Sequence, residues 1–179
     1  SGYRFIRDNG TVDSLQFVSQ GNSGSSLSAI TTDAAGNVYV ADRGTNKVWK
    51  ITPYGRTASS FGVTGSSPSA IAIDAAGNIY TANYNSNNVS KITPAGVSST
   101  LGTTDNNPIG IAIDAAGNVY TANYDSNTVS KITPEGTSTL FGTTGSRPRA
   151  IAIDDAGNVY TANYDSNTVS KITPGGIST

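Results

Sequence analysis

The sequence predicts an all-β fold: a β-propeller built of roughly forty-residue, four-stranded antiparallel blades. Three observations lead there. Ile30-Thr31-Thr32-Asp33 recurs as Ile71-Ala72-Ile73-Asp74, Ile111-Ala112-Ile113-Asp114 and Ile151-Ala152-Ile153-Asp154, so the aspartates step by 41, 40 and 40 residues. β-Branched residues and turn formers fill every segment, which argues against two-helix repeats of similar period. Short extended runs separated by Gly, Asn, Asp, Ser and Pro read as an antiparallel meander.

The third repeat shows the elements in order. Strand A is expected over Ile109–Ile113, strand B over Val119–Asn123, strand C over Thr128–Thr133 and strand D over Thr137–Phe141. The A–B turn, Asp114 to Asn118, contains Gly117, which takes a positive φ without cost. Tyr124-Asp125-Ser126-Asn127 forms the B–C turn, because Asp and Asn bond their own backbone and tolerate the left-handed region. Pro134-Glu135-Gly136 reads as a type II-like turn. The loop from Gly142 to Pro148 leads into the next strand A.

At the N terminus, Tyr3 to Gly10 aligns with Val129 to Gly136, so the chain opens in a C–D hairpin. The expected organisation is one propeller or partial-propeller domain over 1–179. It comprises a C–D hairpin at 1–20, full blades at 28–62, 69–102 and 109–141, and an incomplete last blade at 149–179. There are thus four A–B–C sets. The hairpin has no A and B strands of its own. It is placed to complete the last blade, within one chain as a four-bladed ring or between two chains as an eight-bladed dimer. Open edges favour such head-to-tail self-association.

Composition narrows the function. Net charge is −1, and charged residues make up 13% of the chain. Lys50, Lys91, Lys131 and Lys171 are each offset by an Asp in the same repeat, so no basic stripe exists for nucleic acid or an anionic membrane. No segment reaches the roughly 18 apolar residues of a membrane span, and no signal peptide is read. The chain has no Cys and no His. That excludes disulfides, thiolate nucleophiles, zinc–thiolate sites and a His-activated serine. A thiol-free, Ser/Thr/Asn-rich composition suits a secreted or cell-surface protein.

The run Ala29 to Val48, with Asp33-x-x-Gly36-Asn37-Val38-Tyr39-Val40-Ala41-Asp42 followed by Asn-x-x-Val, resembles an NHL-repeat propeller blade. Segments such as Lys131-Ile132-Thr133-Pro134-Glu135-Gly136 resemble the streptogramin-lyase-like branch of related propellers. The resemblance covers essentially the whole chain and implies the propeller fold. The lyase activity of that branch is understood to need histidine, so the resemblance does not bring that activity here. The later repeats also depart from the NHL pattern, with Asn83, Asn123 and Asn163 at the place of Asp42.

Candidate site residues follow from the loops. Asp33, Asp74, Asp114 and Asp154 read as A–B turn caps, one per blade, and do not converge as a Ca²⁺ site requires. Tyr39, Tyr80, Tyr120 and Tyr160 read as blade core. Trp49 stands where later repeats have Ser90, Ser130 and Ser170, and either fills a gap in the first blade or faces a partner. The B–C and D–A loops share one propeller face, the expected ligand face. Its candidates are Tyr84, Tyr124, Tyr164, Asp125, Asp165, Asp105, Arg147 and Arg149. Two readings compete for the tyrosines: ligand platforms, or packing against the neighbouring blade. The D–A loops switch from neutral (Gly65 to Pro68) to acidic (Asp105 to Pro108) to basic (Gly145 to Arg149), through selection or through drift.

No catalytic residue, metal or cofactor is assigned. The expected function is a non-enzymatic binding or interaction scaffold, with a protein or small-molecule ligand left unidentified. One alternative is a calcium-dependent, lactonase-like hydrolase. Another is a recently amplified or engineered repeat without a specific ligand, because Ile111–Gly136 and Ile151–Gly176 differ only at Ala115/Asp155 and Glu135/Gly175.

Overall fold

The computed structural model describes residues 4–8, 12–16, 26–53 and 58–179. Strands β1 (Arg4–Asp8) and β2 (Val12–Gln16) form an antiparallel hairpin. The first blade is β3 (Leu27–Thr32), β4 (Val38–Asp42), β5 (Lys47–Ile51) and β6 (Ala58–Val63). The second is β7 (Pro68–Ile73), β8 (Ile79–Asn83), β9 (Asn88–Ile92) and β10 (Ser98–Thr103). The third is β11 (Pro108–Ile113), β12 (Val119–Asn123), β13 (Thr128–Ile132) and β14 (Ser138–Thr143). The fourth holds β15 (Pro148–Ile153), β16 (Val159–Asn163) and β17 (Thr168–Ile172), with Ser178 bridging to Ile172. Each sheet is an antiparallel meander in chain order, which bears out the all-β propeller architecture.

Among the described residues, β1 pairs with β2 and the fourth sheet holds β15, β16 and β17. The expected single-chain closure, with the hairpin inserted into the last blade, is therefore not the arrangement found. The rest of that hairpin assignment, at 1–3, 9–11 and 17–20, lies outside the described residues.

Two local expectations change. Strand D of the third blade runs two residues past Phe141. Val129 opposes Gly142 while Ser130 opposes Leu140, so Phe141 is the extra residue of a β-bulge. The bulge turns Phe141 toward the core, where it packs beside Tyr120. The C–D turn is not type II, because the positive φ (91°) falls on Gly136 rather than Glu135. The Gly136 N–H donates to the Thr133 carbonyl at 2.9 Å, so this is a type I turn followed by a left-handed glycine. The A–B turn uses the same device, with Gly117 at φ 83°.

The core lies between blades. Tyr39 and Val48 of the first blade pack on Ile79 and Ile92 of the second. Tyr80 and Val89 repeat this against Val119 and Ile132, and Tyr120 and Val129 against Val159 and Ile172. Full burial of each such side chain contributes about 1.5–3 kcal/mol. Strands A line up side by side. Ser28 Oγ donates to the Pro68 carbonyl at 2.6 Å, and Ser69 Oγ to the Pro108 carbonyl at 2.7 Å, which ties successive blades together.

Candidate functional site

The backbone brings the B–C turns and D–A loops to one end of the blades. The Tyr84 N–H donates to the Ser67 carbonyl, Tyr124 to Asn107 and Tyr164 to Arg147, at 2.9–3.0 Å. Each B–C turn ends in a left-handed asparagine: Asn46, Asn87, Asn127 or Asn167. The side chains of Asn46, Asn87 and Asn127 accept from the N–H of Ser67, Asn107 and Arg147 in the next loop. That asparagine is therefore a fixed joint between one blade and the next.

Beneath these loops lies a buried polar hub. In the third blade, Asn123 is fully buried, with its amide 2.9 Å from both Thr121 Oγ1 and Ser130 Oγ. The Asp105 N–H in the loop donates to Ser130 Oγ at 3.1 Å. Asn83 and Asn163 sit in the same surroundings. The first blade uses a different pair. Asp42 accepts from the N–H groups of Ser26 and Gly44, from Thr45 Oγ1, and from Trp49 Nε1 at 3.2 Å. Burial pushes the Asp42 carboxyl up, but these donors outweigh it and hold it below the ordinary range. The two departures of the first repeat, Asp42 and Trp49, are thus one exchange, in which the carboxylate and the indole N–H partner each other. Trp49 is buried and fills the first blade.

Above the hub the sequence-predicted residues divide. Tyr124, Tyr164, Arg147, Arg149 and Asp165 form one cluster where the third blade meets the fourth. The Arg149 guanidinium lies 4.0 Å from the Tyr164 ring centroid and 5.5 Å from that of Tyr124. Arg147 lies 5.2 Å over Tyr124 and forms an ion pair with Asp165 at 3.2 Å. A hydrogen bond with Tyr124 holds the Arg149 guanidinium charged above its ordinary range. Arg147 has φ 55°, a left-handed backbone that costs a non-glycine residue about 1 kcal/mol or more. Asn107 and Ser67 adopt the same turn with φ 59° and 57°. The turn is thus common to the loops, and the arginine is particular to the fourth.

Tyr84 is separate from this cluster, under Arg43 at 5.5 Å. Arg43 was not among the residues singled out from sequence. It occupies the position of Tyr84, Tyr124 and Tyr164 in the first repeat, which was the available signal. Asp105 accepts from Thr128 Oγ1 at 2.8 Å, beside a recess of about 150 Å³ lined by Thr103, Ser130 and Leu140. Asp125 is exposed at the B–C turn of the third blade.

The opposite end is built for structure. Each A–B aspartate accepts from the backbone and side chain of the asparagine four residues on, and from the next tyrosine hydroxyl. Asn37 and Asn158 hold Asp33 and Asp154 below the ordinary carboxylate range. Burial raises Asp74 and Asp114, but the bonds from Asn78 and Asn118 outweigh it. Burial, with the carboxylate beside them as acceptor, holds the Tyr80 and Tyr120 phenols well above their ordinary value. A hollow of about 390 Å³ lies between two of these turns, lined by Ala75, Ala76, Ala115 and Ala116. It is the larger recess, but its two carboxylates, Asp74 and Asp114, are already committed to their own turns. Among the described residues no three acidic, His or Cys side chains gather as a metal site would need, and the calcium-dependent alternative gains no carboxylate cluster.

Comparison with known proteins settles the family. The family model described as the virginiamycin B lyase family matches residues 6–179.

The chain belongs to that family.

Among solved structures it is similar to selenomethionine-substituted virginiamycin B lyase from Staphylococcus aureus (20% identity, TM-score 0.76). It is similar to a streptogramin B lyase structure (20%, TM-score 0.80). It is also similar to a catalytically inactive histidine-to-alanine variant of the Staphylococcus aureus enzyme with quinupristin (20%, TM-score 0.76). These matches cover 86–92% of this chain and 54–58% of theirs, so the chain spans about half the length of the structures it matches. No curated protein matches it.

Three expectations are corrected or refined. The chain is not assigned to a family of non-enzymatic scaffolds, because its family is one of lyases. The reading that it is no enzyme falls for the same reason. That reading gave the missing histidine more weight than the blade pattern, whereas family membership is carried by the blades. The NHL label gives way to the related streptogramin-lyase branch that the Lys-Ile-Thr-Pro-x-Gly segments had suggested.

Proposed function

We propose that the chain acts as part of a lyase-type propeller that holds its substrate on the B–C/D–A face, against the Arg–Tyr cluster of the third and fourth blades. Family membership over residues 6–179 supports the reaction class. The single observation that carries the site is Arg149 lying between the Tyr124 and Tyr164 rings. Two flat amphipathic rings and a pair of guanidiniums suit a substrate with an apolar or aromatic surface and an electron-rich oxygen.

A lyase breaks a bond by elimination: a base takes a proton, the freed electron pair forms a double bond, and the leaving group departs. The guanidinium of Arg149 is placed to stabilise negative charge developing on a leaving oxygen. The relative inactivated by losing a histidine used that histidine, and this chain has none. The carboxylate within the cluster is that of Asp165, paired with Arg147, and it would act as the proton acceptor that histidine supplies elsewhere.

Incubation of the 179-residue chain with quinupristin, followed by chromatography and mass spectrometry, tests this. The expected result is conversion to product whose total mass equals that of the substrate, slowed in Arg149→Ala. Product that has gained a water would make the reaction a hydrolysis. No conversion, with equal retention of quinupristin by the chain and by Arg149→Ala, would overturn the proposed site.

A further inference from the structure

The D–A loops that join successive blades follow one backbone path, and the middle loop breaks its pattern. Between the first and second blades, and between the third and fourth, the loop holds a glycine, Gly65 or Gly145. Neither has room for a side chain: an added Cβ would run into Ser86, Asn88 and Asn83 at the first, or Ser166, Thr168 and Asn163 at the second. Two hydrogen bonds then close each loop on the next B–C turn. The Ser66 N–H donates to Ser86 Oγ at 2.9 Å, and the Asn85 N–H donates to the Ser66 carbonyl at 3.2 Å. Ser146, Ser166 and Asp165 repeat both bonds, at 3.0 and 3.2 Å.

Between the second and third blades Asp105 stands in the glycine's place. Among the described residues, neither the Asn106 N–H nor the Asp125 N–H makes the corresponding bond. Asp105 gains one bond, from Thr128 Oγ1 at 2.8 Å, and its carboxylate is in no ion pair. The B–C turn does not cause the difference, because Tyr124 to Asn127 and Tyr164 to Asn167 have the same sequence. The exchange of glycine for aspartate therefore loses one bond on balance and leaves a negative charge without a counter-charge. A loop that only joined two blades would gain nothing from it.

A second observation lies beside it. Ser98 Oγ accepts from the Val63 N–H at 3.0 Å, and Ser178 Oγ accepts from the Thr143 N–H at 3.1 Å. Ser138 Oγ, at the same blade position, is buried and has no hydrogen-bond partner. Buried polar atoms in folded proteins are nearly always satisfied, so an orphan of this kind points to an occupant. Ser138 and Asp105 both line the recess of about 150 Å³. Six of the seven residues around it carry a side-chain oxygen: Thr103, Thr104, Asp105, Ser130, Ser138 and Thr139. An all-oxygen lining suits a hard cation, and one carboxylate balances one positive charge. Both walls of the recess lie inside the chain, each on a blade flanked by a further blade.

We propose that this recess binds a monovalent metal cation, sodium or potassium. The Asp105 carboxylate and Ser138 Oγ would be its ligands, with the Thr103 and Thr104 hydroxyls and water completing the shell. The cation supplies the counter-charge that Asp105 lacks and uses the free oxygen of Ser138. It thereby fixes the one D–A loop without the two closing bonds. The proposal is independent of the lyase reading, since the Arg–Tyr cluster lies between the third and fourth blades.

Thermal unfolding of the 179-residue chain across a concentration series of sodium, potassium or choline chloride tests it. Choline screens charge equally but cannot enter an oxygen ligand shell. With the metal cation at about three times its dissociation constant, the midpoint is expected to rise by about 2–3 °C over choline. Asp105→Gly restores the residue of the other two loops. It is expected to lose that difference while unfolding in choline no earlier than wild type. Ser138→Ala is expected to narrow the difference. Equal wild-type midpoints in all three salts would overturn the proposal, as would a sodium or potassium gain that persists in Asp105→Gly. A gain from calcium chloride with none from sodium or potassium would overturn the monovalent assignment.

Discussion

At the A–B end of the described blades, one aspartate, one asparagine and one tyrosine close the same three hydrogen bonds four times over. At the B–C/D–A end, the blades share a backbone and disagree in their side chains. Ser67, Asn107 and Arg147 adopt one left-handed conformation with three different chemistries. Arg43 stands where Tyr84, Tyr124 and Tyr164 stand in the other repeats. Polar atoms at the first end are spent on the turn itself. At the second end, the asparagine joints and the buried hub hold the loops, so the outward side chains are free to differ. A repeat protein can thus keep its folding information at one end and vary recognition at the other.

Substitutions at the two ends should separate stability from binding. The largest effect is expected at the A–B end. Asp114→Ala removes the acceptor of Asn118 and of the Tyr120 hydroxyl, at a cost of about 1–3 kcal/mol in chemical denaturation. Quinupristin retention by the folded protein should not change. A comparable loss of binding would show that the two ends are not independent.

A pH series sharpens the same point. Asp33, Asp74, Asp114 and Asp154 are all held below their ordinary value in the fold. A depressed folded pKa gives stability that is complete above the unfolded value of about 4, and this is lost as pH falls through the folded value. The stability gap between wild type and Asp114→Asn is therefore expected to shrink as pH drops from neutral to below about 4. The alkaline limb has the opposite sign. Tyr80 and Tyr120 are raised, so their contribution is intact below about pH 10 and falls as pH rises beyond it. A gap that stays constant through the acid range would remove the carboxylate from the account.

The smallest stability effect is expected at the recognition end. Arg149 is exposed, and Arg149→Ala should shift unfolding by no more than about 0.5 kcal/mol. It should nevertheless slow conversion of quinupristin. A large destabilisation would make the Arg–Tyr stack a structural clamp between the third and fourth blades.

Much of this was legible in the sequence. The period of the aspartates gave the blade. Alternating β-branched runs gave strands A to C nearly to the residue. The turn asparagines and glycines fell where positive φ was needed, as at Asn127 and Gly117. Strand D was placed short because a bulge leaves no mark in hydrophobic alternation, and only the pairing of Val129 with Gly142 exposes it. The link between Asp42 and Trp49 was visible as two separate oddities, since nothing in a linear pattern says that they touch. The candidate site was read in pieces for the same reason. Tyr124, Tyr164 and Arg149 are repeat positions or loop variations on the page, and become one stack only when adjacent blades meet. Arg43 was passed over because an arginine in place of tyrosine looks like the loss of a motif.

By itself the sequence determined the repeat, its strands and its turn chemistry, because these depend on local backbone preference and on side chains a few residues apart. The tertiary structure alone decided which side chains become neighbours across blades: the Arg–Tyr stack, the Asp42–Trp49 pair, and which copy of an identical valine is buried. Val129 and Val169 sit in nearly the same sequence, yet one is dry and the other is 69% exposed. Burial at such a position is a property of the next blade, and no local sequence contains it.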